Sequence, residues 1–171
     1  MIDAEDTFTA MPALQLRSPG PEITVRRFDE PLDLDGYDVV LVGPGPGDPR
    51  DDDSAKIAVM RHVTGRLLDE RRPFLSVCLG HQVLSGLFGS PVTAGFCNTF
   101  AARSAADTVE CPGVPGPVAV SRDPDTGEVH ALRGPRFASV QFHAESVLTE
   151  HGPTILGDVL TAVLAGAPVA R

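Results

Sequence analysis

The sequence predicts an α/β fold: a three-layer, mostly parallel sheet flanked by helices, with a small β-rich C-terminal part. Three observations carry this. Short apolar runs alternate with amphipathic stretches through the first half of the chain. One of those runs, residues 74–77, breaks off at Cys78 and is followed at once by helix-forming residues. The second half reads as strands until a last helix. At 171 residues the chain is expected to form one domain, 1–171, around one core.

The elements follow in order. Met1 and Ile2 are all that remains of a first strand before an acidic turn. Residues 10–18 read as a helix that keeps Pro12 only if that proline lies in the first turn, because an interior proline costs about 3 kcal/mol. Residues 23–27 and 37–42 read as strands. Residues 54–71 form an amphipathic helix with Ile57, Met60, Thr64 and Leu67 on one stripe. After the strand 74–77 a helix starts by Gln82 and runs to Leu87. The turn DPDTG (123–127) joins strands 118–122 and 128–132 as a hairpin. A strand from Ala138 runs to His143, and a helix over about 154–164 packs Ile155, Leu156, Val159 and Val163. The segment CPGVPGP (111–117) is a rigid surface loop.

Three stretches carry chemistry. In PFLSVCLGHQ (73–82) an apolar strand delivers Cys78 to a tight turn at a helix N-terminus, whose amides favour an anion and can hold a developing oxyanion. In ASVQFHAES (138–146) a strand ends in His143, followed two residues later by Glu145. Strand alternation would let both lie on one side of the sheet edge, with Glu145 holding the ring while His143 takes the thiol proton. In VVLVGPGPGDP (39–49) Gly45 and Gly47 let backbone approach a ligand where a Cβ would clash. Each has a plainer reading: a small buried cysteine, an incidental His–Glu pair, a chain reversal. The conjunction, in that order and on those elements, points to a nucleophile, a base and its orienter.

These motifs resemble those of the class I (triad) glutamine amidotransferases, which read PGPG, then CLGHQ, then FHPES. DAEDTFT (3–9), GFCNTFAA (95–102) and GEVHALRG (127–134) give a finer likeness to the amidotransferase domains that feed chorismate-using synthases, anthranilate synthase and especially its phenazine-pathway relatives. The resemblance implies a flavodoxin-like fold and a triad of Cys78, His143 and Glu145. It implies an oxyanion hole from the backbone of Gly47 and Leu79, and a seat for glutamine's amino-acid end at Gly45, Gln82, Thr99 and Phe100. It implies L-glutamine as substrate, no cofactor and no metal, and ammonia passed to a chorismate-binding synthase subunit or domain.

The chain departs from that pattern in four places. GSPVTA (89–94) alone leads to Gly95, so a strand pair before Thr99 is expected to be missing or reduced, displacing Thr99 and Phe100. The first strand is clipped, and Pro12 and Pro19 crowd the first helix. Ala144 replaces the proline between His143 and Glu145, which frees the backbone between base and acid, and Cys97 replaces an aromatic residue. Two other readings therefore stay open: a degenerate amidotransferase fragment serving as an interaction subunit, and a hydrolase of another small amide.

Composition narrows the class further. The net charge of −9 and the absence of a basic run argue against nucleic acid. Three cysteines, Cys78, Cys97 and Cys111, without paired or metal-ligand spacing suit a reducing cytoplasm. Neither a signal peptide nor a membrane span is legible. The single lysine, Lys56, reads as compositional bias.

Overall fold

The computed structural model describes residues 1–6, 22–95, 99–144, 146 and 149–166. In chain order its strands are β1 (Ile2–Asp3), β2 (Arg26–Arg27), β3 (Val40–Val42), β4 (Phe74–Val77), β5 (Val92–Thr93), β6 (Ala101–Ala102), β7 (Thr108–Val109), β8 (Val118–Arg122), β9 (Val129–Arg133) and β10 (Phe137–Val140). The described helices are α1 (Ala55–Asp69), α2 (Leu79–Leu87) and α3 (Gly152–Ala165). Eight strands join in the order β2-β1-β3-β4-β10-β9-β8-β7, and β5 pairs with β6 in a separate ribbon. From β2 to β10 every pairing is parallel; β9, β8 and β7 continue the sheet antiparallel.

Three layers follow from alternation along the central strands. Val40, Val42 and Phe74 face one side, where Ile57, Met60 and Leu67 of α1 and Val83 and Leu84 of α2 cover them. Leu41, Leu75 and Val77 face the other, where Leu156 and Val163 of α3 complete a second core. Helix α1 buries Ile57, Met60, Val63, Thr64 and Leu67, a stripe at helical spacing, and Ser54 caps it by accepting from the Ile57 amide. Strand β4 is buried along its whole length, as a central parallel strand must be.

The differences from expectation lie at element ends. Strand 23–27 shortens to β2 and 37–42 to β3: the ladder sets Arg26 and Arg27 against Ile2 and Asp3, and Val40–Val42 against Phe74–Ser76, and the residues before them are partly or wholly exposed. The clipped first strand survives as β1, two residues wedged between β2 and β3. Among the described residues of the short connection before Thr99 one two-residue strand, Val92–Thr93, is present, and it pairs with Ala101–Ala102 beyond Thr99. Helix α2 begins at Leu79, three residues before Gln82. Strand β10 ends at Val140, so strand alternation does not set the orientation of His143. The first helix, 10–18, with Pro12 and Pro19, lies outside the described residues, as do Cys97 and Glu145.

Candidate active site

Strand β4 runs straight into Cys78, whose backbone sits at φ 51°, ψ −106°, a conformation L-residues rarely adopt. Two close approaches hold it there. A Cβ on Gly80 would run into the Val42 carbonyl, and one on Gly43 would lie 2.7 Å from the Val77 oxygen, so the end of β3 and the start of α2 meet backbone to backbone. The Cys78 amide donates to Val140 O at 2.9 Å, tying the turn to β10. The Gln82 amide closes the first helical turn on Cys78 O at 3.0 Å. Cys78 itself is half-buried and forms no disulfide. The combination of a strained turn, a helix N-terminus and a reachable sulfur suits a nucleophile.

The glycine-rich loop after β3 forms the neighbouring wall. A Cβ on Gly45 would strike the Ala4 carbonyl, so this loop packs on the end of β1. Gly47, at φ 144°, lies against the Leu79 side chain, 3.8 Å from where its Cβ would stand, which brings together the two residues expected to supply an oxyanion hole. Lys56, the only lysine, reaches across from α1 to Ala4 O at 3.3 Å and to Glu5 at 3.1 Å, closing the same junction. Beyond Gly47, Arg50 pairs with Asp48 at 2.7 Å and lies 4.7 Å over the Phe100 ring. The guanidinium holds the Asp48 carboxyl down at about 2.

The shortened connection meets α2 at Gln82. Gln82, 5% exposed, donates from Nε2 to Phe100 O at 2.6 Å, and Thr99 O accepts from the Gly95 amide at 3.4 Å. The β5–β6 ribbon thus returns the chain to α2 in two paired residues per strand, with the Phe100 carbonyl against Gln82.

His143 lies half-buried past the end of β10, with its carbonyl accepting from Thr149 Oγ1 at 2.6 Å and from the Ser146 amide at 3.1 Å. Next to it Ala144 is 1% exposed, and its carbonyl abuts Gly152 so closely that a Cβ there could not fit. Glu145, the expected orienter, lies outside the described residues.

Sequence reasoning missed Gln141. Parallel register pairs Val77 with Val140, so the next residues, Cys78 and Gln141, stand side by side. The Gln141 side chain, in a residue 2% exposed, donates from Nε2 to Cys78 Sγ at 3.9 Å, while its Oε1 accepts from Gln82 Nε2 at 3.2 Å. The signal was a polar residue ending an apolar run one step past the strand. His81 is another buried polar group, fully enclosed between Ser139 Oγ at 2.8 Å and Val129 O at 3.1 Å. Burial pushes its pKa down to about 4, against a partial upward pull from the Val129 carbonyl. A carbonyl only accepts, so Nε2 carries the proton and Nδ1 accepts from Ser139.

An apolar cavity of about 240 Å³, lined by Leu67, Phe74, Val114 and Phe137 among others, lies at the opposite ends of β4 and β10 and takes no part in this site. Among the described residues no group of acids, histidines and cysteines is arranged to hold a metal ion, and no helix is long and apolar enough to cross a membrane.

Residues 1–111 match the model of the class-I glutamine amidotransferase family. The chain is 49% identical over 190 aligned positions to the phenazine-specific anthranilate synthase of Pseudomonas fluorescens, an alignment that takes in 99% of this chain and 30% of that protein. It is 32% identical over 195 positions to anthranilate synthase component 2 of Methanothermobacter marburgensis, covering 94% of this chain and 96% of the relative. Both alignments are longer than the 171 residues of the chain, so the relatives carry residues that it lacks. Among solved structures, a putative GMP synthase subunit from Thermoplasma acidophilum superposes with a TM-score of 0.61 at 21% identity, over 96% of this chain and 93% of that one, which shows a shared fold.

Proposed function

Since the chain belongs to the class-I glutamine amidotransferases, we propose that it hydrolyses L-glutamine through Cys78, His143 and Glu145 and supplies the ammonia to a chorismate-aminating synthase. The thiolate of Cys78 attacks the side-chain carbonyl carbon of glutamine, and the resulting oxyanion is received by the amides of Gly47 and Leu79. Collapse expels the amide nitrogen, which leaves as ammonia with a proton from His143, and forms a glutamyl thioester. Water, deprotonated by His143, then cleaves the thioester to glutamate and regenerates the thiol. Splitting the cleavage of a poor electrophile into two steps lowers each barrier. An oxyanion donor of this type contributes about 2.7–4 kcal/mol to the transition state.

The observation that carries this reading is the strained turn at Cys78 with Gln82 and Phe100 beside it. Gln82 spends its amide nitrogen on Phe100 O and Gln141 Oε1, which leaves its own oxygen to accept from an ammonium group such as glutamine's α-amino end. Gly45 and Thr99 complete that seat in this reading. The partner is a chorismate-binding module. The chain spans 30% of the phenazine-specific relative from Pseudomonas fluorescens, whose name couples it to anthranilate formation.

The test is labelling with 6-diazo-5-oxo-norleucine, an electrophilic glutamine analogue, read by intact mass beside Cys78→Ala and with glutamine as competitor. One glutamine-protected adduct, lost in Cys78→Ala, is expected. A folded sample that takes no adduct, alone or with a chorismate-binding partner, would leave a non-catalytic interaction domain.

A further inference from the structure

We propose that Gln141 is a positioning residue whose single carboxamide aims the Cys78 sulfur and orients the Gln82 amide at the same time. The inference rests on the reading of Cys78 as nucleophile and Gln82 as the group facing the substrate's amino end. Its direction is fixed by chemistry from one end of the chain of contacts. Phe100 O can only accept, so Gln82 turns its nitrogen toward it at 2.6 Å. The same nitrogen then faces Gln141 at 3.2 Å, which must answer with its oxygen. That leaves the Gln141 nitrogen for the sulfur at 3.9 Å, the side from which an N–H stabilises a thiolate.

The register of the sheet makes the arrangement rigid. Gln141 follows directly on Val140, whose carbonyl holds the Cys78 amide at 2.9 Å, and its own amide donates to His130 O at 2.8 Å. Both carboxamides are nearly excluded from water, so the hydrogen bonds polarise one another. An ammonium group accepted by the Gln82 oxygen draws electrons from that amide and makes its N–H a stronger donor to Gln141. Gln141 in turn becomes a stronger donor to the sulfur. Occupation of the amino-acid seat thereby favours the reactive form of the nucleophile.

Two substitutions separate this role from mere packing. Gln141→Met keeps the bulk and removes both functions; Gln141→Glu keeps an acceptor for Gln82 but turns a carboxylate toward the sulfur. Alkylation by iodoacetamide is followed across pH at the Cys78 peptide, because Cys97 and Cys111 also carry thiols. Protection by glutamine is titrated in parallel, and thermal melting identifies the variants that fold. In Gln141→Met, alkylation at neutral pH should fall roughly tenfold, with its pH profile moved upward, as loss of a hydrogen bond to a charged group implies. The glutamine concentration for half-protection should rise by about the same factor in that variant. In Gln141→Glu the pH profile should move upward while half-protection stays within about twofold of the wild type. If Gln141→Met does not fold, this split in Gln141→Glu decides alone. A wild-type pH profile in either folded variant, or equal losses of both properties in Gln141→Glu, would overturn the role while leaving the amidotransferase reading intact. A wild-type protein whose Cys78 alkylates without protection by glutamine would overturn that reading and this inference with it.

Discussion

Strands β4 and β10 lie side by side in register, yet their two ends are built on opposite principles. At the amino ends, Phe74 and Phe137 stack with ring centroids 5.2 Å apart, Phe88 meets Phe137 edge-on at 5.7 Å, and an apolar cavity opens above them. At the carboxyl ends stand Cys78 in a strained conformation and Gln141 in a buried polar network, with His143 two residues on. The apolar end is concave and holds none of the expected site residues, although Arg71 on its rim also has a positive φ, 52°. The polar end keeps unfavourable backbone and desolvated amides that a stability optimum would have removed, which is the mark of a site selected for something else.

The largest expected effect lies at the apolar end. Phe137→Ala removes one ring of a stacked pair in a residue 3% exposed and should cost about 3–5 kcal/mol in urea unfolding, a large share of the stability of a domain this size. Labelling of Cys78 per folded molecule should not change, because the stacked rings lie at the other end of β4 and β10 from Cys78. A change in the labelling rate of the folded fraction would mean that the two ends are coupled, and the comparison would fail.

A smaller effect concerns the layer between the ends. His81 hangs from α2 into the core with a folded pKa of about 4 against 6.5 when unfolded, so between those values the unfolded state binds a proton that the folded state does not. The stability this confers is complete above pH 6.5 and is lost as pH falls toward 4, by about 3 kcal/mol. Urea unfolding at a series of pH values should show that slope. It should flatten in His81→Gln, and nitrogen NMR shifts of the wild-type ring should stay those of the neutral tautomer at pH 5. A ring that protonates near pH 6.5 in the folded protein would refute the burial argument.

Much of this was legible in the sequence, and the limits were physical. The strand at Phe74–Val77 and the hairpin around 123–127 follow from continuous burial and from turn chemistry, which are local. Strand ends at 23–25 and 37–39 were overextended because pairing, not propensity, decides where a ladder stops. The motifs around Cys78 and His143 were legible as candidates. Gln141 was not, because its contact with Cys78 depends on which residue of a distant strand stands level with it, 63 residues apart in the chain. The reach of Arg50 to Phe100 and of Lys56 to Ala4 was hidden for the same reason.

The smallest effect on stability is the sharpest test of the polar end. Cys78 holds φ at 51° and ψ at −106°, where an L-residue loses of the order of 1–3 kcal/mol and glycine loses little, since this is the mirror image of an ordinary extended conformation. Cys78→Gly gives up some of that gain to the greater freedom of glycine in the unfolded chain and to the lost contact with Gln141. The net expectation is a protein about 1 kcal/mol more stable that takes no adduct from the glutamine analogue. Cys78→Ala, which keeps the Cβ and therefore the strain, should lose the adduct without the gain. If glycine stabilised no more than alanine, the backbone at Cys78 would carry no strain, and the contrast between the two ends would reduce to side-chain chemistry alone.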